Sequence, residues 1–277
     1  MESLKTILSH GKTIPTSKSS EQDKANKYGL YHTGANYRLP QKEQTYDCPK
    51  CQDREIVEIG VDSLGLSIYS DCTCKAKKSA ARKLKSSGLR GNQLAYRLED
   101  YQVNDNNQDM LEGVKRYLKA WPEKINSESE SKGFCLIGNP GIGKTMLSCI
   151  IASDMLSKSV QVVFVSSADL LAELRQAQLT RDKENMEEKI ETLGKVQALI
   201  LDDIGKEKPT EWVQNMYYRL IDLRYRNNLL TGFNSNYYPK ELAQRLGEVW
   251  DATMSRLIGL TREHFLCATD FDHRIEG

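Results

Sequence analysis

Gly138-Asn139-Pro140-Gly141-Ile142-Gly143-Lys144-Thr145 spaces its glycines, lysine and hydroxyl as G-x-x-x-x-G-K-[ST]. Backbone N–H groups of such a loop, with the positive end of the helix that follows, cradle phosphate groups. Lys144 would neutralise the outer phosphates, and the Thr145 hydroxyl would hold Mg²⁺. The flanks suit this chemistry. Residues 133–137 form a short apolar run that reads as a buried strand, and Met146 and the residues after it read as a helix. Gly138 through Met146 is therefore the expected nucleotide-contacting set for ATP or ADP.

A second candidate lies at 198–203, an apolar strand ending in Asp202-Asp203. Strand ends in open α/β sheets face the ligand crevice. Asp202 fits the Mg²⁺-side carboxylate of a Walker B strand. Asp203 fits the group that orients or deprotonates an attacking water. Asn234-Ser235-Asn236 ends the next strand, where an asparagine could sense a terminal phosphate or simply sit in a turn. Arg256, near the end of an amphipathic helix, fits either a solvated arginine or one that stabilises phosphate charge in a neighbouring subunit.

Cys48-Pro49-Lys50-Cys51 and Cys72-Thr73-Cys74 give C-x-x-C and C-x-C across a 20-residue spacer. Two close thiolate pairs suit a tetrahedral Zn²⁺. The spacer reads as two strands, 55–59 and 64–69, about a turn, which is a zinc-ribbon pattern. With no open ligand position evident, the site is expected to be structural. Cys135, Cys149 and Cys267 sit in apolar contexts and read as core.

These sites need elements to carry them. From residue 133 strands and helices alternate: strands at 134–137, 160–166, 198–201, 229–233 and 265–268, helices at 144–157, 168–178, 211–225, 239–246 and 248–258. Short apolar runs between amphipathic helices indicate an α/β fold with a parallel sheet. Thr210 reads as an N-cap. Residues 114–121 read as a helix ending before Pro122. Residues 75–97 hold eight basic side chains and no acidic one, a pattern that fits a nucleic-acid contact or a solvated linker helix. Gly88 and Gly91 suggest that this helix stops near them. The organisation expected is a flexible, partly helical 1–45, a zinc module at 46–75, a basic linker helix at 76–100 and an ATPase domain at 101–277.

Composition excludes some classes. The 277 residues are 39% hydrophobic and 28% charged, with a net charge of +1. Residues 1–132 carry 22 Lys+Arg against 18 Asp+Glu, and the remainder 17 against 20. Whole-molecule charge therefore gives no strong case for nucleic acid. No apolar run approaches the roughly 18 residues of a membrane span. Met1-Glu2-Ser3-Leu4 opens no signal peptide, so a cytoplasmic location is expected, with cysteines reduced or on metal. An [NT]-K-x-D base-reading motif and an L-S-G-G-Q signature are both absent from the sequence, which disfavours a GTPase and an ABC-type ATPase.

The loop, Leu201-Asp202-Asp203-Ile204-Gly205, Asn234-Ser235-Asn236 and Ser255-Arg256-Leu257 resemble the DnaC/DnaI-type replicative helicase loaders and the related IstB-type transposition ATPases. The resemblance covers roughly residues 85–277, and either a cellular or a phage-encoded member fits. It implies an AAA+ core that binds ATP and Mg²⁺, contacts single-stranded DNA and delivers a hexameric replicative helicase onto DNA. Its sensor asparagine falls on Asn236, its trans-acting arginine on Arg256 with Arg245 as the alternative, and its C-terminal Asp-x-Arg on Asp272-His273-Arg274. Many AAA+ ATPases place Glu where Asp203 stands. A carboxylate pulled back by about one C–C bond, ~1.5 Å, suits slow hydrolysis and a switch rather than a motor.

Only 269–277 follow the last expected strand, which implies a core lacking the helical lid. A site without that lid implies self-association or assembly on the helicase. The family places a DNA-contacting helical insertion at 167–197, where this chain has five basic residues (Arg175, Arg181, Lys183, Lys189, Lys195) against seven acidic ones. Zinc-bearing N-terminal modules occur in DnaI-like loaders, where that domain implies docking to the helicase. The competing readings are an IstB-like transposase helper and a nucleotide-binding adaptor without useful turnover.

Overall fold

The computed structural model describes residues 46–180, 183–246 and 249–268. The expected segment 1–45, Arg181, the Asp272–Arg274 element and the tail that bears on the lid lie outside these residues. So does the side chain of Arg245. The chain divides into two compact units, 1–49 and 50–277. Of the first, only 46–49 are described, an exposed approach to Cys48.

The second unit opens with an antiparallel hairpin, β1 (Ile56–Val61) and β2 (Ser67–Asp71), in the register Ile56↔Asp71 and Val61↔Ser67. The expected strands shift by one to three residues because the turn tightens around Asp62. Its Oδ1 accepts the N–H groups of Leu64 (2.8 Å) and Leu66 (2.9 Å). Both strands are exposed on nearly every residue. Such a hairpin has almost no core, and a lone two-stranded hairpin is marginal in water.

Helix α1 (Cys74–Ser86) follows, and its cations turn back on the hairpin. Lys75 pairs with Asp71 (2.7 Å), Lys78 with Asp53 (2.6 Å), and Arg82 forks onto the Glu55 carboxylate. Lys83 donates to the Ser159 carbonyl. The basic segment is not one helix over 76–100. It breaks at Gly88, whose φ of +77 suits glycine and whose Cβ would meet the Phe164 carbonyl oxygen at 2.3 Å. There the Phe164 N–H donates to the Ser87 carbonyl (2.7 Å), so the chain runs against the edge of the sheet. A short α2 (Gly91–Ala95) and a 3₁₀ turn (Leu98–Asp100) complete the segment.

Helix α3 (Gln108–Lys124) passes through Pro122 rather than ending before it. A proline this close to the C-terminus removes one hydrogen bond, while buried Met110, Val114, Tyr117 and Trp121 hold the helix on the core.

Five parallel strands form the sheet: β3 (Phe134–Ile137), β4 (Val162–Ser166), β5 (Ala198–Ile204), β6 (Leu230–Ser235) and β7 (Phe265–Cys267). Their order is β4-β5-β6-β3-β7, so β6 separates the loop strand β3 from the carboxylate strand β5. The period of two splits the core. Phe134 and Leu136 join α3 and α4 (Lys144–Ser157) on one face, and Cys135 and Ile137 join α5 (Ser167–Leu179), α6 (Lys183–Lys195), α7 (Glu211–Arg226) and α9 (Val249–Thr261) on the other. Helix α8 (Pro239–Leu246) precedes α9. Thr210 caps α7 by accepting the Val213 N–H (3.3 Å). The segment expected as an insertion is the helix pair α5 and α6. Cys267 departs from its reading as core: it ends a three-residue edge strand and is exposed. No described helix is long and apolar enough to cross a membrane.

Candidate nucleotide site and cysteine cluster

The loop between β3 and α4 takes the conformation that its glycines permit. Gly141 and Gly143 have φ of +89 and +87. Gly143 is required twice, because a Cβ there would also meet the Tyr101 ring at 2.4 Å. Tyr101, absent from the expected set, supports the loop from below. Its hydroxyl donates to the Ile142 carbonyl (2.5 Å), and burial pushes its pKa up to about 12. Lys144 is buried and donates to the carbonyls of Gly138 (2.7 Å) and Asn139 (2.8 Å). Its charge is thus held at the loop, where phosphate oxygens could replace carbonyl oxygens as acceptors.

Thr145 and Asp202 come together across 57 residues of sequence. The Thr145 hydroxyl lies 3.0 and 3.2 Å from the two Asp202 oxygens, a hydroxyl–carboxylate pair suited to Mg²⁺. Burial raises the Asp202 pKa, with the Asp203 charge adding to it and hydrogen bonds from Asn234 and Thr145 opposing it. Strand β5 runs on to Ile204 through an irregularity between Leu201 and Ile204, rather than ending at 201. Asp203 sits there at φ +61, which aspartate tolerates better than most residues. Adjacent strand residues normally face opposite ways. The irregularity instead lets Asp202 reach Thr145 while Asp203 lines the loop cavity.

That cavity, of about 280 Å³, is lined by Pro140, Gly141, Gly143, Lys144, Thr145, Met146, Asp203, Lys206, Asn236 and Tyr96. Asn236 is thus at the cavity, where sequence placed it. Asn234, two residues earlier and fully buried, holds the carboxylates. Its amide nitrogen donates to Asp202 Oδ1 and to Ser148 Oγ (3.2 Å), and its Oδ1 accepts the Asp203 N–H (2.7 Å). Tyr96, Tyr101 and Lys206 escaped the sequence reading, and Asn234 was read only as part of the strand-tip motif whose sensor role fell on Asn236. Arg256 is not among the cavity residues. Its guanidinium donates to Asp222 (3.0 Å), to the Ala252 carbonyl (2.9 Å) and to the Tyr218 hydroxyl (3.3 Å), and lies over the Tyr218 ring.

The four cysteine sulfurs of Cys48, Cys51, Cys72 and Cys74 lie within 4.8 Å of one another and could hold a metal ion. Cys51 and Cys74 are 3.4 Å apart. Tetrahedral Zn–S bonds of about 2.3 Å put sulfurs about 3.8 Å apart, so the donor set fits. Cys135 and Cys149 are buried, with thiol pKa values raised by burial, Cys149 to about 12. They belong to the core.

A family model described as "IstB-like ATP binding protein" matches residues 61–257. The chain belongs to the IstB-like ATP-binding protein family. The replicative helicase loader DnaI of Bacillus subtilis is 27% identical over 216 residues, which span 72% of this chain and 67% of that protein. The replicative helicase loader DnaC of Buchnera aphidicola is 26% identical over 168 residues, 60% of this chain and 66% of its own. The chain thus matches about two thirds of the length of these relatives. A crystal structure of DnaI, 25% identical, aligns over 68% of this chain and 95% of its own with a TM-score of 0.53. The sheet of this IstB-like protein, with β6 between loop strand and carboxylate strand, is accordingly an AAA+ core.

Proposed function

We propose that the protein is an ATP-dependent loader of a hexameric replicative helicase, with ATP hydrolysis serving as a slow switch. One observation carries the ATP chemistry: Lys144, Thr145 and Asp203 line one loop cavity, and Asp202 lies within hydrogen-bond distance of the Thr145 hydroxyl. Bound Mg²⁺ would neutralise phosphate charge there. Lys144 would hold the outer phosphates, Thr145 and Asp202 the metal, and Asp203 and Asn236 a water. The names of the relatives support the helicase as partner. Zn²⁺ on the four cysteines would hold the N-terminal module together as a docking surface. Single-stranded DNA is the expected nucleic-acid partner, in the cytoplasm. Two features bear on where it binds. In the α5–α6 pair, Lys189 pairs with Glu173, Lys195 with Glu191, and Arg175 stacks on Trp212. Helix α1 spends Lys75, Lys78 and Arg82 on the hairpin. The neighbour-facing role of Arg256 is proposed with self-association or assembly on the helicase.

The test is co-purification with the replicative helicase of the host, with and without ATP, alongside phosphate release by wild type and Lys144→Ala. The loader reading expects nucleotide-dependent capture and slow release that the variant abolishes. Absence of helicase binding in both states would favour the second reading, a transposase helper of the kind the resemblance to IstB-type transposition ATPases implies.

A further inference from the structure

Lys206 is a second cation in the loop cavity, and none of the expected site residues includes it. Its Nζ lies 2.8 Å from Asp203 Oδ2, and both side chains line the cavity with Lys144 and Thr145. The pair is open to water, with side-chain exposures of 51% and 34%. Exposed ion pairs of this kind are weak. The backbone that carries them is firmly held. The Gly205 N–H donates to Glu207 Oε2 (2.9 Å), the Tyr217 hydroxyl donates to Glu207 Oε1 (2.7 Å), and Asn234 accepts the Asp203 N–H. The Lys206 side chain, 51% exposed, can exchange partners without moving that backbone.

We propose that Lys206 reads the terminal phosphate: it leaves Asp203 for that phosphate when a nucleoside triphosphate binds, and returns to Asp203 when only a diphosphate remains. This inference rests on the reading of the loop as an ATP site. A terminal phosphate carries roughly −1.5 to −2 charge at neutral pH and three acceptor oxygens, so it outcompetes one hydrated carboxylate for the ammonium. Exchange frees Asp203 to hold a water only while a triphosphate is present. In the diphosphate state the lysine occupies the same carboxylate. The pairing therefore ties the water-holding group to the identity of the nucleotide.

Titration calorimetry with Mg²⁺ and either ADP or a non-hydrolysable ATP analogue tests this on the full chain. Lys206→Ala should weaken the analogue about tenfold, the loss of one charge-assisted contact, and leave ADP within about twofold. Lys206→Arg should restore the discrimination. Asp203→Asn should tighten the analogue a few-fold with Lys206 present and have no such effect in Lys206→Ala. Equal weakening of both nucleotides would overturn the inference, because it marks a diffuse charge effect. So would tightening by Asp203→Asn that persists without Lys206. If the wild type binds neither nucleotide, the ATP-site reading itself fails and this inference falls with it. If it binds both and Lys206→Ala leaves the analogue-to-ADP ratio unchanged, this inference alone fails.

Discussion

Asp202 is asked to do two things that pull its ionisation in opposite directions. Burial raises its pKa above the ordinary 3.8, while Mg²⁺ needs the carboxylate. A raised carboxyl pKa means that the folded protein binds the proton more readily than the unfolded chain. Below both values this group favours the metal-free fold, and that contribution fades as pH rises through the window above 3.8. Metal binding runs the other way, since it competes with the proton. Lowering the pH toward the raised Asp202 pKa should therefore weaken the Mg²⁺-dependent part of nucleotide affinity more in the wild type than in Asp202→Asn. Titration of the terminal phosphate, with a pKa of about 6, acts on both proteins alike and cancels in that comparison. Asp202→Asn should show small Mg²⁺ dependence at every pH. A wild-type Mg²⁺ effect that is flat with pH would remove Asp202 from the metal site.

At the scale of elements, the difference between what sequence revealed and what it hid follows from distance along the chain. The loop, the Asp202-Asp203 pair, the cysteine pairs and the Thr210 cap are local patterns, and each was legible. Asn234 and Tyr101 act through partners 31 and 41 residues away, whereas Lys206 meets Asp203 three residues away through the irregular end of β5. The insertion of β6 between β3 and β5, which brings Asn234 to Asp202, is not written in any short window. Arg224 is the clearest hidden case. It looks like one more basic residue at the end of α7, yet it is fully buried and no described carboxylate is among its hydrogen-bond partners.

Its guanidinium donates to the carbonyls of Leu193, Val196 and Leu230 and to the Thr231 hydroxyl, joining the end of α6 to β6. Carbonyls at a helix C-terminus carry partial negative charge and offset part of the burial cost. Burial lowers its pKa to about 9, so it remains a cation at neutral pH. Arg224→Leu strands three carbonyls and should destabilise the fold by about 3–5 kcal/mol. Denaturant unfolding should show a lower midpoint with an unchanged slope. A loss below about 1 kcal/mol would mean that water or a neighbouring donor replaces it.

For the whole molecule, the hairpin is the part least able to hold itself. Its strands are exposed, and among the described residues seven large apolar side chains from Ile56 to Tyr69 stand partly in water. Ion pairs to α1 add little at such exposure, and a 13-residue helix alone is marginal. A metal on the four cysteines would supply what burial does not. Purified protein should carry one zinc per chain. Removing it should raise amide exchange through the hairpin and along α1. Loss of protection should stop near Lys83, where the side chain reaches Ser159 and the Ser87 carbonyl accepts from Phe164. The loop cavity depends on β3, β5, β6 and Tyr101 rather than on the hairpin, so ADP affinity should survive chelation. Metal-free protein with full protection at 51–82 would refute the structural role of the cysteines. Loss of protection across the sheet would instead show that the hairpin and core unfold as one unit.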